Sequence, residues 1–143
     1  MHRSCNPKCS FRLQEIPYLG YIITKQGIKP DQKKVQGIVD LCKPTTAEEM
    51  KSLIGMIQFY RDMWRRRSHI LSPLIESTAN KKGKAKLTWT TEMDEAFIQL
   101  KLMISEEVFL TYPDWSKPFD IHTDASDKQL GAVISQDGKP ISF

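Results

Sequence analysis

Cysteine is scarce in this 143-residue chain: Cys5, Cys9 and Cys42 are an odd, sparse set that fits reduced thiols and argues against a disulfide framework. Cys5-Asn-Pro-Lys-Cys9 suggests half a zinc site, but no second Cys/His pair follows at ligand spacing. His2, His69 and His122 are scattered and Cys42 stands alone, so structural zinc is set aside. No apolar run approaches the roughly 18 residues of a membrane span, and no apolar signal-peptide core follows Met1-His-Arg-Ser-Cys. The expectation is an intracellular protein without a membrane partner. The chain also lacks an internal repeat, a low-complexity tract, any Asp-Asp dipeptide and any nucleophile motif that would make His122 and Asp124 part of a complete small hydrolase.

What is present suits one modest core or two small ones. Hydrophobic residues make up 40% of the chain, and a charged fraction of 27% argues against general disorder. The net charge of +4 conceals a division. Residues 1–86 carry 17 Lys and Arg against 7 Asp and Glu, a net of +10, whereas residues 87–143 carry 4 against 10, a net of −6. A basic front and an acidic back imply different partners.

Residues 9–24 alternate loosely and end at Lys25-Gln-Gly27, which reads as a β-hairpin or a pair of edge strands, with Pro17 keeping the first strand off a sheet centre. Gly27-Ile-Lys-Pro30 reads as a turn. Asp31 then caps a helix bearing Val35, Ile38, Val39 and Cys42, closed by Lys43-Pro44. Capping boxes at Thr45 or Thr46 open a longer helix with Met50, Leu53, Ile54 and Ile57, running toward Tyr60 or Trp64. Ser68 can cap a third helix carrying Ile70, Leu71, Leu74 and Ile75. The short, basic stretch 79–86 reads as a linker between two units.

Beyond it, Thr90 and an acidic first turn start a helix with Met93, Ala96, Phe97, Leu100, Met103 and Ile104, followed by residues 108–112 and a Pro113-Asp114 turn. Phe119, Ile121 and Thr123 alternate with Asp120, His122 and Asp124, the period of a strand with one buried face. Asp124 falls where that strand gives way to small and polar residues, and a carboxylate at a strand end can bind a metal. A second run, residues 130–136, meets a third, residues 139–143, across Asp137-Gly138, a dipeptide suited to a two-residue hairpin turn.

In this order and spacing, the following residues resemble the polymerase of gypsy-class long-terminal-repeat retroelements, from the end of the reverse transcriptase palm through the thumb into the ribonuclease H domain. They are Lys8-Cys-Ser-Phe11, Ile16-Pro-Tyr-Leu-Gly-Tyr-Ile-Ile23, Gly27-Ile-Lys-Pro-Asp31, Lys34-Val35, Lys43-Pro-Thr45, Ser52-Leu-Ile-Gly55 and Phe59-Tyr-Arg61. Ser72-Pro-Leu74, Trp89-Thr90, Ala96-Phe97, Leu100-Lys101 and Thr123-Asp-Ala-Ser126 complete the set.

The resemblance implies a primer grip at Tyr18, Leu19, Gly20 and Tyr21, where Gly20 admits a close backbone and the tyrosines offer flat faces to nucleotides. It implies a thumb from Asp31 to about Thr78, with Arg61, Arg65, Arg66 and Arg67 near duplex phosphates, where they would supply salt-sensitive affinity without sequence preference. An Ile-Pro-Asn-Phe-like segment commonly stands where this chain has Met63-Trp-Arg-Arg-Arg67. Asp124 matches the first of four acidic residues that hold two divalent ions, Mg²⁺ in the parent enzyme, to cleave the RNA strand of a hybrid. The other three would lie beyond Phe143 and the palm aspartates before Met1.

The fold expected is α+β: a β-hairpin and a three-helix thumb in residues 1–86, then, in residues 87–143, a helix and the first three strands of a truncated ribonuclease H-like mixed sheet. The function expected is that of a Pol polyprotein fragment. Its parent performs RNA-directed DNA synthesis and hybrid cleavage, while the chain itself binds a template-primer (RNA–DNA hybrid or DNA duplex), holds no ion tightly and has neither activity. The rest of the polyprotein is the other implied partner, and the cytoplasm, nucleus or a virus-like particle the implied location. The alternative is a domesticated or remnant module for protein contacts, which would expose Phe59, Met63 and Trp64 as an apolar patch.

Overall fold

The computed structural model describes residues 12–64, 67–81, 83–125 and 130–143. Strands β1 (Glu15–Tyr18), β2 (Tyr21–Thr24) and β3 (Gly27–Pro30) precede helices α1 (Gln32–Val39), α2 (Ala47–Phe59), α3 (Arg67–Glu76) and α4 (Thr91–Ser105). Strands β4 (Leu110–Thr111), β5 (Asp120–Ala125), β6 (Leu130–Gln136) and β7 (Lys139–Ser142) follow. The strands form one sheet in the order β1-β2-β3-β4 and another in the order β5-β6-β7. The fold is α+β, every pairing between described strands is antiparallel, and β5-β6-β7 form a meander as the three terminal runs suggest.

Gly27-Ile-Lys-Pro30 is a strand and not a turn. The turn comes earlier, because the Thr24 hydroxyl oxygen accepts from the Gln26 and Gly27 amides, both at 3.2 Å, and closes the chain there. Gly27 is then free to pair with Thr111, where any Cβ would overlap the Leu110 carbonyl. Two further hairpins turn on two residues with positive φ: Leu19 (46°) and Gly20 (83°), and Asp137 (51°) and Gly138 (73°). This is the geometry whose twist matches paired strands.

Helix starts follow their caps. Asp31 accepts from the Lys33 amide at 3.0 Å, Thr46 and Glu49 form a reciprocal capping box, and Thr90 accepts from the Met93 amide. Cys42 lies past the end of α1, and α2 stops at Phe59 before a turn that carries Tyr60. Arg67, one residue ahead of Ser68, already belongs to α3.

The stretch 79–86 is not a free linker. Its carbonyls at Gly83 and Ala85 accept from the Glu48 and Ala47 amides at 3.1 and 2.9 Å, and Leu87 donates to the Thr45 carbonyl at 2.9 Å. The first turn of α2 has orphan N–H donors, and this strap supplies acceptors for two of them.

One hydrophobic core holds all four helices. Val35 and Ile38 from α1, Met50, Leu53 and Ile57 from α2, and Leu71 and Leu74 from α3 pack with Met93, Phe97, Leu100 and Ile104 from α4, and Leu87 and Trp89 lie against them. The polar edges are latched as well. Trp89 donates to the Pro44 carbonyl at 2.8 Å, Lys101 to the Leu41 carbonyl at 2.8 Å, and Lys43 pairs with Asp94 at 2.6 Å. Packing therefore runs continuously across the expected boundary between residues 86 and 87.

Candidate nucleic-acid interface

The tip of the β1–β2 hairpin brings the first candidate residues together. Tyr18 and Leu19 are 58% and 70% exposed, so the tip presents an aromatic and an aliphatic side chain to solvent. Leu19 sits in the left-handed region, which costs a residue with a Cβ about 1 kcal/mol and persists only where neighbours fix it. Gly20 and Tyr21 do the fixing. The Gly20 carbonyl accepts from the Asp31 amide at 2.9 Å and from the Tyr60 hydroxyl at 3.1 Å, while the Tyr21 hydroxyl donates to the Phe59 carbonyl at 2.9 Å.

Tyr21 therefore spends much of its surface on the protein. Its ring packs on Phe59 and Tyr60 with centroids 5.5 and 5.3 Å apart, and Tyr60 in turn meets Trp64 edge-on at 5.6 Å. Burial pushes the Tyr21 hydroxyl above its ordinary value, with Asp62 adding to the shift and Arg61 opposing it. Burial raises Tyr60 too, followed by Tyr21 and Asp31. Both hydroxyls thus stay protonated as donors across the neutral range.

Arg61 follows this cluster, exposed and 3.6 Å from Asp62. Arg65 and Arg66 lie outside the described residues. Arg67 opens α3 half-buried, and desolvation is the main pull that lowers its guanidinium from the usual value, aided by Arg61 and countered by Asp62. Its Nη1 and the Trp64 Nε1 are buried donors without a hydrogen-bond partner among the described residues. Met63 and Trp64 are buried, at 4% and 3% exposure, and of the three residues expected in an apolar protein-contact patch only Phe59 is exposed. The patch does not form, because α2 ends early enough for the following turn to fold both side chains into the core.

Asp124 stands apart from this cluster, on β5. That strand is exposed along its whole length, which corrects the expectation of one buried face: Ile121 is 65% exposed, and Leu130, next to its pairing partner Ala125 across the ladder, 89%. No described element covers the face on which Ile121 and Thr123 alternate. Asp124 is exposed on the other face, opposite Gly131. Asp120 and His122 share that face by alternation, yet no group of three or more His, Cys, Asp or Glu able to hold a metal ion exists among the described residues. These residues do not by themselves fit a two-ion centre.

The expected nucleic-acid-binding candidates included Tyr18–Tyr21 and the arginines but neither Phe59, placed only in the alternative apolar patch, nor Tyr60. The signal for them was the aromatic pair directly after an apolar helix run, in the same motif as Arg61. Among the described residues no helix is long and apolar enough to cross a membrane.

Comparison with known proteins gives this geometry a family. The profile of the RNase H-like domain found in reverse transcriptase matches residues 89–143. The Pol polyprotein of transposon 297 from Drosophila melanogaster is 40% identical over 137 residues, which cover 95% of this chain and 13% of that protein. The Pol polyprotein of transposon gypsy, also from Drosophila melanogaster, is 33% identical over 150 residues, covering 99% of this chain and 14% of that one. Among solved structures, the foamy viral protease-reverse transcriptase in complex with dsDNA shares the fold at a TM-score of 0.77 and 24% identity, over 91% of this chain and 28% of the viral one. The same viral protein in complex with RNA/DNA hybrid matches with a TM-score of 0.77. The chain is thus homologous, over nearly its whole length, to a small part of retrovirus-related Pol polyproteins of gypsy-class transposons, a part that includes RNase H-like sequence of the reverse transcriptase.

Proposed function

We propose that this chain is the template-primer-binding part of such a polyprotein. In this reading α1–α3 form a reverse transcriptase thumb, the β1–β2 tip a primer grip, and β5–β7 the opening strands of the ribonuclease H-like unit. The observation that carries it is the joining of an exposed tip at Tyr18 and Leu19, by hydrogen bonds at Gly20 and Tyr21, to the helix end at Phe59–Arg61, which is followed in sequence by the arginine run. A flat apolar tip can rest on nucleotides of any sequence while cations beside it neutralise phosphates. The Gly20 and Tyr21 side of the hairpin serves to hold the tip and not to touch the duplex. The RNA/DNA hybrid and dsDNA bound by the foamy viral proteins are the duplex classes this surface would take. Mg²⁺ belongs to the whole nuclease domain of the parent, with Asp124 as one of its ligands. The reading as a protein-contact module loses its basis with the burial of Met63 and Trp64.

Binding of an RNA–DNA hybrid at two or more salt concentrations tests the proposal. Replacing Arg61, Arg65 and Arg66 together by Ala should weaken binding and flatten the plot of log K against log salt by up to three phosphate equivalents, each about 0.9 on B-DNA. Arg67 is left in place because it is half-buried. An unchanged slope would mean that these arginines face only water or protein.

A further inference from the structure

The hairpin tip and the end of α2 exchange hydroxyl–carbonyl bonds in both directions, Tyr60 to Gly20 at 3.1 Å and Tyr21 to Phe59 at 2.9 Å. Tyr60 is 4% exposed, and its ring stands edge-on to Tyr21, Phe59 and Trp64, so its hydroxyl has little freedom to point elsewhere. The fit is tight: a Cβ added to Gly20 would lie 2.9 Å from that hydroxyl and 3.3 Å from the Phe59 ring. A glycine is needed here both for its positive φ and for this approach. The residue beside it, Leu19, is held in a conformation it would not choose alone.

We propose that Tyr60 is a positioning residue for nucleic-acid contact. By donating to the Gly20 carbonyl it fixes Tyr18 and Leu19 in one orientation relative to Arg61, so that the apolar tip and the cationic helix end meet a duplex as a single rigid surface. The inference rests on the nucleic-acid reading above and adds how that surface is built. Without the hydroxyl the ring still packs and Gly20 keeps its bond from the Asp31 amide, but the tip loses one of its two tethers to the helix end, the bond from Tyr21 to the Phe59 carbonyl remaining. Only the fraction of molecules with the tip correctly set would then bind, and the apparent affinity falls by that fraction.

The test uses the 143-residue chain with an RNA–DNA hybrid at two salt concentrations, and compares Tyr60→Phe, Leu19→Ala and the double variant. Tyr60→Phe should weaken binding by about 5-fold to 10-fold, the order of one lost hydrogen bond, with an unchanged salt slope because no cation is removed. Amide exchange in the turn around Leu19 and Gly20 should quicken by about the same factor. Leu19→Ala should cost less in the Phe background than alone, the coupling expected if Tyr60 acts through the tip. Tyr21→Phe, which removes the reverse bond, should act in the same direction. A lowered melting temperature with unchanged affinity, or additive losses in the double variant, would overturn the assignment and leave Tyr60 a packing residue. Failure of the unaltered chain to bind any hybrid would overturn the functional reading and this one with it.

Discussion

Replacing Leu100 by Ala should destabilise the whole helical unit by about 2–5 kcal/mol, the range for emptying a fully buried leucine site. Leu100 is 1% exposed on α4 and belongs to the same core as Met50 and Ile57 of α2 and Leu71 and Leu74 of α3. Helix α4 packs directly on α3 and α1, so the cavity would open under helices that precede the expected boundary in the chain. Urea denaturation followed by far-ultraviolet circular dichroism and by tryptophan fluorescence should then show one transition, moved to lower denaturant by both signals. Two transitions, with the mutation shifting only the later one, would mean that residues 12–86 fold independently and that their contacts with α4 add little. The family profile begins at Trp89 and the packing does not break there. A boundary in sequence relatedness need not be a boundary in folding, since a helix can belong to one domain by descent and still supply a wall of its neighbour's core.

The same contrast explains what could be read from the residues. Helices α1, α2 and α4 announce themselves because their signals are local: a cap at Asp31, Thr46 or Thr90, then apolar positions at helical spacing. Asp137-Gly138 likewise turns as its residue types dictate. Two of the differences from expectation involve partners distant in sequence. Gly27-Ile-Lys-Pro30 has turn-like composition, yet it pairs with β2 on one side and β4 on the other, and β4 is only two residues long. The basic stretch 79–86 looks like a tether because nothing within it reveals that the amides of α2 need acceptors. At the candidate interface the role proposed for Tyr18 and Leu19 came from the family resemblance and only their exposure is observed, whereas the clamp by Phe59 and Tyr60 joins residues about 40 positions apart and has no local signature. On β5 the alternation of Phe119, Ile121 and Thr123 is real, but alternation states only which residues share a face, not whether anything covers it.

Asp124→Asn should leave the 143-residue chain unchanged and abolish activity in a longer chain that carries a whole ribonuclease H-like domain. Cleavage of a phosphodiester by two divalent ions needs several carboxylates, because the ions must be held a few ångströms apart to activate water and to stabilise the leaving oxygen. The described residues assemble no such group, so the short chain with Mg²⁺ or Mn²⁺ should cut the RNA strand of a hybrid no faster than its Asn variant. In the proposed reading Asp124 is one of these carboxylates, exposed near the end of β5 and paired across the ladder with Gly131. Asparagine keeps the shape and loses the charge. It cannot replace an anionic oxygen in a site whose ions are held mainly by negative charge, so the rate should drop by more than about 100-fold, beyond the usual cost of disturbing a group behind the ligands. The measurement is metal-dependent release of labelled RNA fragments, in parallel for the short and long chains with Asp and Asn at position 124. If the long chain cleaves hybrid equally well with either residue, Asp124 is not a metal ligand, and β5–β7 share with the nuclease only their fold.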